Sequence, residues 1–139
     1  MSHFTRMRTR LRDAGLLAAA LAEVGYRQAE VHDEPQVLYG YRGDARPERA
    51  EVIVRRAHIG AASNDIGFAR GPDGSFEAII SEFDRRRHDG RWLARLTQAY
   101  GHAAALKYAR EHGYDVMADE TEQDGTRRLT LRRPAWSGR

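Results

Sequence analysis

From His3 to Arg12 the chain alternates strictly. Thr5, Met7, Thr9 and Leu11 fall on one side, and Phe4, Arg6, Arg8, Arg10 and Arg12 on the other. A period of two predicts a half-buried strand. The period then changes. Leu16, Leu17, Ala20, Leu21 and Val24 recur at helical spacing through an alanine-rich run, which predicts an amphipathic helix. Asp13 suits its N-cap, because a carboxylate can accept the free amide hydrogens of a first turn. Gly25 suits its end, because glycine takes the left-handed conformation that a helix C-terminus needs.

Short alternating segments follow: Val37–Tyr41, then Ala50–Arg56 with Val52 and Val54 inward. Gly43–Glu48 between them holds Pro47 and predicts a turn. Ile66 and Phe68 mark another short strand, and Phe76, Ala78 and Ile80 the next, with Pro72-Asp73-Gly74 as the hairpin turn between them. A longer helix is predicted from about Asp89 to His112, with Trp92, Leu93, Leu96, Ala99, Tyr100, Ala103, Leu106 and Tyr108 as a broad apolar face and Gly113 as its stop. Tyr114, Val116 and Ala118 alternate in a strand. Asp124-Gly125 predicts a hairpin turn, and Leu129 and Leu131 lie in a last strand that Pro134 closes.

The two halves echo each other, each with a strand, a helix, a Gly-Tyr pair and a strand pair. Val24-Gly25-Tyr26 ends the first helix and His112-Gly113-Tyr114 the second. Helix capping alone accounts for both pairs, so the echo allows pseudo-duplicated units without requiring them. The expected fold is a single α+β domain over residues 1–139: a mainly antiparallel sheet of about six or seven strands with two helices on one face.

Composition narrows the chemistry. The 139 residues contain no cysteine, which removes disulfides, zinc-thiolate sites, iron–sulfur ligation and thiol nucleophiles from this chain. A reducing cytoplasm is the simpler expectation. No apolar run approaches the roughly 20 residues of a membrane helix. The net charge is +3 with a pI of about 9.6, too small an excess to diagnose nucleic-acid binding. Lys107 is the only lysine. An arginine-only basic set fits a GC-rich genome, and equally a surface selected for forked contacts to carboxylate or phosphate.

The sharpest local feature is the outer face of the first strand. Arg6, Arg8, Arg10 and Arg12 would stand roughly 6.5–7 Å apart along it, with Arg128 and Arg132 adding charge if the last strand lies nearby. Like charges in a row stabilise nothing alone. Either neighbouring acids solvate them, or they dock an acidic partner or phosphates. Phe4, Tyr39 and Tyr41 could add stacking surfaces, as in sheet-based RNA binders, but the signature aromatic motif of that class is absent. Other features favour plain explanations. The six histidines make no i, i+4 pair. His102 lies beside the apolar face, as a satisfied, partly buried histidine would. Asp119, Glu120, Glu122 and Asp124 lack calcium-loop spacing and fit a solvated hairpin tip. Arg85-Arg86-Arg87-His88 reads as an exposed loop before the long helix, although basic residues there oppose the helix dipole and would welcome an acidic ligand. Ser63, Ser75 and Ser81 have no nucleophile elbow around them, and no glycine-rich phosphate loop exists. For a small enzyme with a pocket assembled from distant residues, Asp65, Tyr100 and His102 are the first acid–base candidates.

Several segments together resemble the Ycf thirty-five family, named for a hypothetical chloroplast reading frame, whose bacterial members form a domain of unknown function. They are Met1-Ser2-His3-Phe4-Thr5, Leu11-Arg12-Asp13, Tyr39-Gly40-Tyr41-Arg42-Gly43, Ala50-Glu51-Val52-Ile53-Val54-Arg55, Asp65-Ile66-Gly67-Phe68 and Leu96-Thr97-Gln98-Ala99-Tyr100. Two stretches depart from it: residues Ala57–Asn64, and residues Glu82–Gly90, where Phe83 and the arginine run replace a tryptophan-bearing segment. The resemblance implies no established activity. It implies instead an association with an AAA+ ATPase of the MoxR type, a ferredoxin and a small family-linked protein, and so a complex.

The function expected from all this is a non-catalytic cytoplasmic adaptor. It docks an acidic protein through an arginine-rich sheet face comprising Arg6, Arg8, Arg10, Arg12, Tyr39, Tyr41, Arg42, Arg128 and Arg132. No cofactor and no membrane partner is expected. The alternatives are a nucleic-acid binder and a small enzyme.

Overall fold

The computed structural model describes residues 3–133. The chain runs β1 (Phe4–Arg8), α1 (Ala14–Glu23), β2 (Glu30–Tyr39), β3 (Ala45–Val54), β4 (Ile66–Arg70), β5 (Phe76–Ser81), α2 (Gly90–Glu111), β6 (Asp115–Thr121) and β7 (Arg127–Arg132). Single 3-10 turns lie at Arg56–His58 and Asp84–Arg86. The expected α+β class holds. Its strands divide into a five-stranded antiparallel sheet, in the order β1-β5-β4-β3-β2, and a separate antiparallel pair, β6-β7.

Both helices start and stop as the sequence predicts. Asp13 Oδ1 accepts from the Leu16 amide at 2.9 Å, and Asp89 Oδ1 accepts from the Trp92 amide at 3.1 Å. Gly25 and Gly113 hold φ values of 111° and 71°, a region that L side chains rarely enter. The amides of Tyr26 and Tyr114 then reach back to the carbonyls of Leu21 and Ala109, each at 2.8 Å, closing the same C-terminal motif twice.

The main core lies between the helices and one face of the large sheet. Leu17, Ala20 and Leu21 from α1 and Trp92, Leu96 and Ala99 from α2 meet Val52, Val54, Ile66, Phe68, Ala78 and Ile80. Of the apolar face predicted for α2, Tyr108 departs: its ring is about half exposed and stacks on His112 at 3.9 Å instead.

The opposite face is not the open arginine surface that strict alternation suggests. Ile53 and Ile79 point there and are fully buried with Leu38 and Ala50. The cover is the far end of the β2–β3 hairpin, which bends back over the sheet. Two irregularities bend it. Between the pairs Val31↔Val52 and Gln36↔Ala50 the extra residues His32–Pro35 bulge out of β2, and between Val37↔Arg49 and Tyr39↔Ala45 the extra residues fall on β3. Bulges raise strand twist and tolerate proline, so Pro35 and Pro47 sit inside strands that the sequence reading shortened. The turn itself is Gly40–Asp44, where the Gly40 amide donates to the Asp44 carbonyl at 2.8 Å, rather than Gly43–Glu48. Gly67 lets the hairpin lie flat. A Cβ there would stand 2.7 Å from Ala50 Cβ and 2.9 Å from Leu38 Cδ1.

Strand β1 also ends early. Thr9 Oγ1 donates to the Phe76 carbonyl at 2.5 Å and accepts from the Leu11 amide at 3.1 Å. This side-chain bridge turns the chain so that Leu11 drops into the core, and the alternation through Arg10 and Arg12 continues without a strand beneath it. Pro134, expected to close the last strand, lies outside the described residues. Among the described residues no helix is long and apolar enough to cross a membrane.

Candidate functional site

The arginine row is real but shorter than expected. Arg6 and Arg8 pair in register with Ile79 and Glu77, which places both on the sheet face away from the helices. Arg6 Nη1 lies 3.3 Å from Glu77 Oε1. Arg8 and Arg10 are exposed, and neither approaches a carboxylate among the described residues. Arg12 turns aside, its guanidinium packed against Gly74 and near Asp73 at the β4–β5 turn. Two of the four predicted arginines therefore stand on the strand, and the other two follow it as loop.

Tyr39, Tyr41 and Arg42 lie at the bent end of the β2–β3 hairpin. Each tyrosine ring carries a cation, Arg55 over Tyr39 at 5.7 Å and Arg42 over Tyr41 at 5.3 Å. Phe4 carries Arg46 at 5.9 Å, so the rings proposed for base stacking are each capped. Arg128 and Arg132 are elsewhere, on the separate sheet, and face their own hairpin: Arg128 Nη2 to Glu122 at 2.5 Å and Arg132 Nη2 to Asp115 at 2.8 Å.

The acid–base candidates do not converge. The Asp65 carboxylate is buried and accepts from the Tyr39 amide, the Arg56 amide and Arg55 Nη1, each at 2.8 Å. Arg55 also reaches Glu30 at 3.0 Å, and that fork holds the Glu30 carboxyl below its ordinary value. Tyr100 Oη accepts from the Asp13 amide at 3.0 Å, and His102 Nε2 meets Asp119 at 2.8 Å. These are three structural ties in three places. Among the described residues no three His, Asp or Glu side chains gather as metal ligands would.

A different cluster does converge. The end of α1, the loop after the first 3-10 turn, the second 3-10 turn and the start of α2 enclose a cleft of about 730 Å³. Its floor is a chain of buried polar groups. Asp84 Oδ2 accepts from the Asn64 amide and from Ser81 Oγ, both at 2.9 Å. His88 Nδ1 faces the Asp84 carbonyl at 3.3 Å, and its Nε2 lies 2.6 Å from Tyr26 Oη. The carbonyl requires the proton on Nδ1, so Nε2 accepts from the tyrosine hydroxyl. The Trp92 ring packs edge-on to His88 at 4.8 Å. Arg86, Arg87 and Arg95 line the cleft above this floor. The arginine run is expected in an exposed loop, and Arg86 and Arg87 are exposed. His88 is not: only about 5% of its surface remains.

Burial pushes the His88 imidazole below its ordinary value of 6.5. Unfolded chains therefore take up a proton at a pH where the folded protein does not, so folding weakens as pH falls below about 6.5 and levels off beneath the folded value. Thermal unfolding from pH 8 to 5 should show this loss, and His88→Gln should flatten it. An unchanged slope in that variant would place the pH sensitivity elsewhere.

The model of a family described as "Protein of unknown function (DUF1257)" matches residues 20–130. The chain is 25% identical over 134 residues to the uncharacterized protein ycf35 of Guillardia theta, covering 96% of this chain and 98% of that protein. It is 22% identical over 136 residues to the uncharacterized protein ycf35 of Pyropia yezoensis, with the same coverage. No solved structure matches it.

Proposed function

The chain belongs to the DUF1257 family of proteins of unknown function, and within that family we propose that it is a cytoplasmic, non-catalytic adaptor that docks an acidic protein partner along strand β1. The observation that carries this is a basic sheet edge that no strand covers among the described residues. Among the described residues β1 pairs with β5 on one side only. Arg6, Arg8 and then Arg10 line this border, and among the described residues only Arg6 of these has a carboxylate within ion-pair distance.

An acidic segment laid against this edge gains backbone hydrogen bonds from the strand and carboxylate forks from the arginines. Long-range attraction steers the encounter. Both electrostatic contributions weaken as salt rises and the screening length contracts from about 10 Å at 0.1 M. The AAA+ ATPase subunit and the ferredoxin implied by the family resemblance are the first baits.

The test replaces Arg6, Arg8 and Arg10 together by glutamate and measures partner affinity at low and at high salt. The triple variant should bind roughly a hundredfold more weakly at low salt and lose most of its salt dependence, while still folding cooperatively with a modest drop in melting temperature, because the reversals set glutamates beside Glu77. An affinity untouched by the three reversals would sink the proposal.

A further inference from the structure

The cleft at the start of α2 is electrostatically unfinished. Arg86, Arg87 and Arg95 line it, and none of them lies within ion-pair distance of an acid among the described residues. The carboxylate in its wall, Asp84, is buried and turned to Asn64 and Ser81 rather than to an arginine. Asp89 is engaged as the helix cap. Arg91 and Arg95 sit one turn apart on α2, a like-charge spacing that destabilises a helix. The arginines crowd the helix end where the dipole is already positive. Arg86 lies over the Phe83 ring at 4.1 Å with its Nε on the Phe83 carbonyl, whereas an anion in the cleft would give Arg87 and Arg95 an acidic partner that they lack among the described residues.

The remaining walls say what the anion carries. Val24 and Ile59 give an apolar flank. The Tyr26 hydroxyl stands at the floor, fixed by the nine-tenths-buried His88. A volume of about 730 Å³ is that of a small-molecule site. We infer that this cleft binds a small organic anion, a phosphate or carboxylate compound with an apolar body, at a place separate from the β1 docking edge. The arginines take the charged group as forks, and the Val24–Ile59 flank takes the body.

Calorimetric titration of the full chain with inorganic pyrophosphate, adenosine monophosphate and naphthoate tests this, with neutral adenosine as the control. At least one anion should bind with a Kd of about 1 mM or tighter, and adenosine should not bind. Binding of adenosine monophosphate or pyrophosphate identifies a phosphate site, and binding of naphthoate alone a carboxylate site. The Arg87→Ala/Arg95→Ala variant, whose changes are on the surface, should melt like the parent and bind at least about tenfold more weakly. The β1 triple variant should bind the anion unchanged. Absence of binding by all three anions, equal binding by the Arg87/Arg95 variant, or loss of binding in the β1 variant overturns the inference.

Discussion

Replacing Leu96 by aspartate will unfold the domain. Leu96 is fully buried at the centre of the main core, on the face of α2 that meets Phe68 and Val54 across the sheet. Truncating such a side chain alone costs about 2–5 kcal/mol. An ionised carboxylate in the same place adds a desolvation penalty with no partner to offset it. The sum reaches the whole stability of an ordinary domain, about 5–15 kcal/mol. The variant should show no cooperative thermal transition and no fixed aromatic environment in near-ultraviolet circular dichroism. Tyr108→Asp, three turns along the same helix but half exposed, is the control and should cost only about 1–2 kcal/mol, from the lost stack on His112 and a negative charge at the helix C-terminus. A Leu96→Asp protein melting like the parent would mean that α2 does not present this face to the sheet.

Asp65→Ala should be the most damaging polar substitution. Its carboxylate joins the end of β2, through the Tyr39 amide, to the start of the first 3-10 turn, through the Arg56 amide, and takes Arg55 Nη1 as an ion pair at 2.8 Å. Removing it strands two amide hydrogens and half a guanidinium fork around a carboxylate position that is itself buried. Losing one partner of a buried pair costs about 3–5 kcal/mol. Arg55 keeps Glu30 and the Val37 carbonyl, so the lower part of that range is expected. Urea unfolding should show an earlier midpoint with an unchanged slope. A loss under about 1 kcal/mol would show that the three donors find other acceptors.

The parts of this fold legible in the sequence are those with local causes. Asp13, Gly25, Asp89 and Gly113 cap by their own chemistry, and the spacing of Leu17, Ala20 and Leu21, or of Trp92, Leu96 and Ala99, needs no distant partner. The β2–β3 hairpin was legible only in part, because its bends lie at His32–Pro35 and near Pro47, where polar residues and proline imitate loop. Its burial of Leu38 and Ala50 depends on Gly67, which comes later in the chain. The arginine row was legible up to Arg8 and overextended beyond it, since alternation cannot show that Thr9 will close the strand. The cleft was hardly legible at all. Tyr26, Asn64 and the stretch holding Ser81, Asp84 and His88 come from three separate segments, and the one local signal, the arginine run with His88 at its end, looks in isolation like any exposed basic loop.

The topology bears on how the chain is made. β1 precedes every other described strand, yet it pairs with β5, and the bonded pair Thr5 and Ile80 lie 75 positions apart. A ribosome adding about 5–20 residues per second leaves the segment without its ladder for seconds, during which a β-prone stretch can pair with another nascent chain. Alternate arginines guard against that, since charge along an open edge discourages strand-to-strand association. Arg6 and Arg8 would then serve the newborn chain first, and a partner only after β5 has arrived.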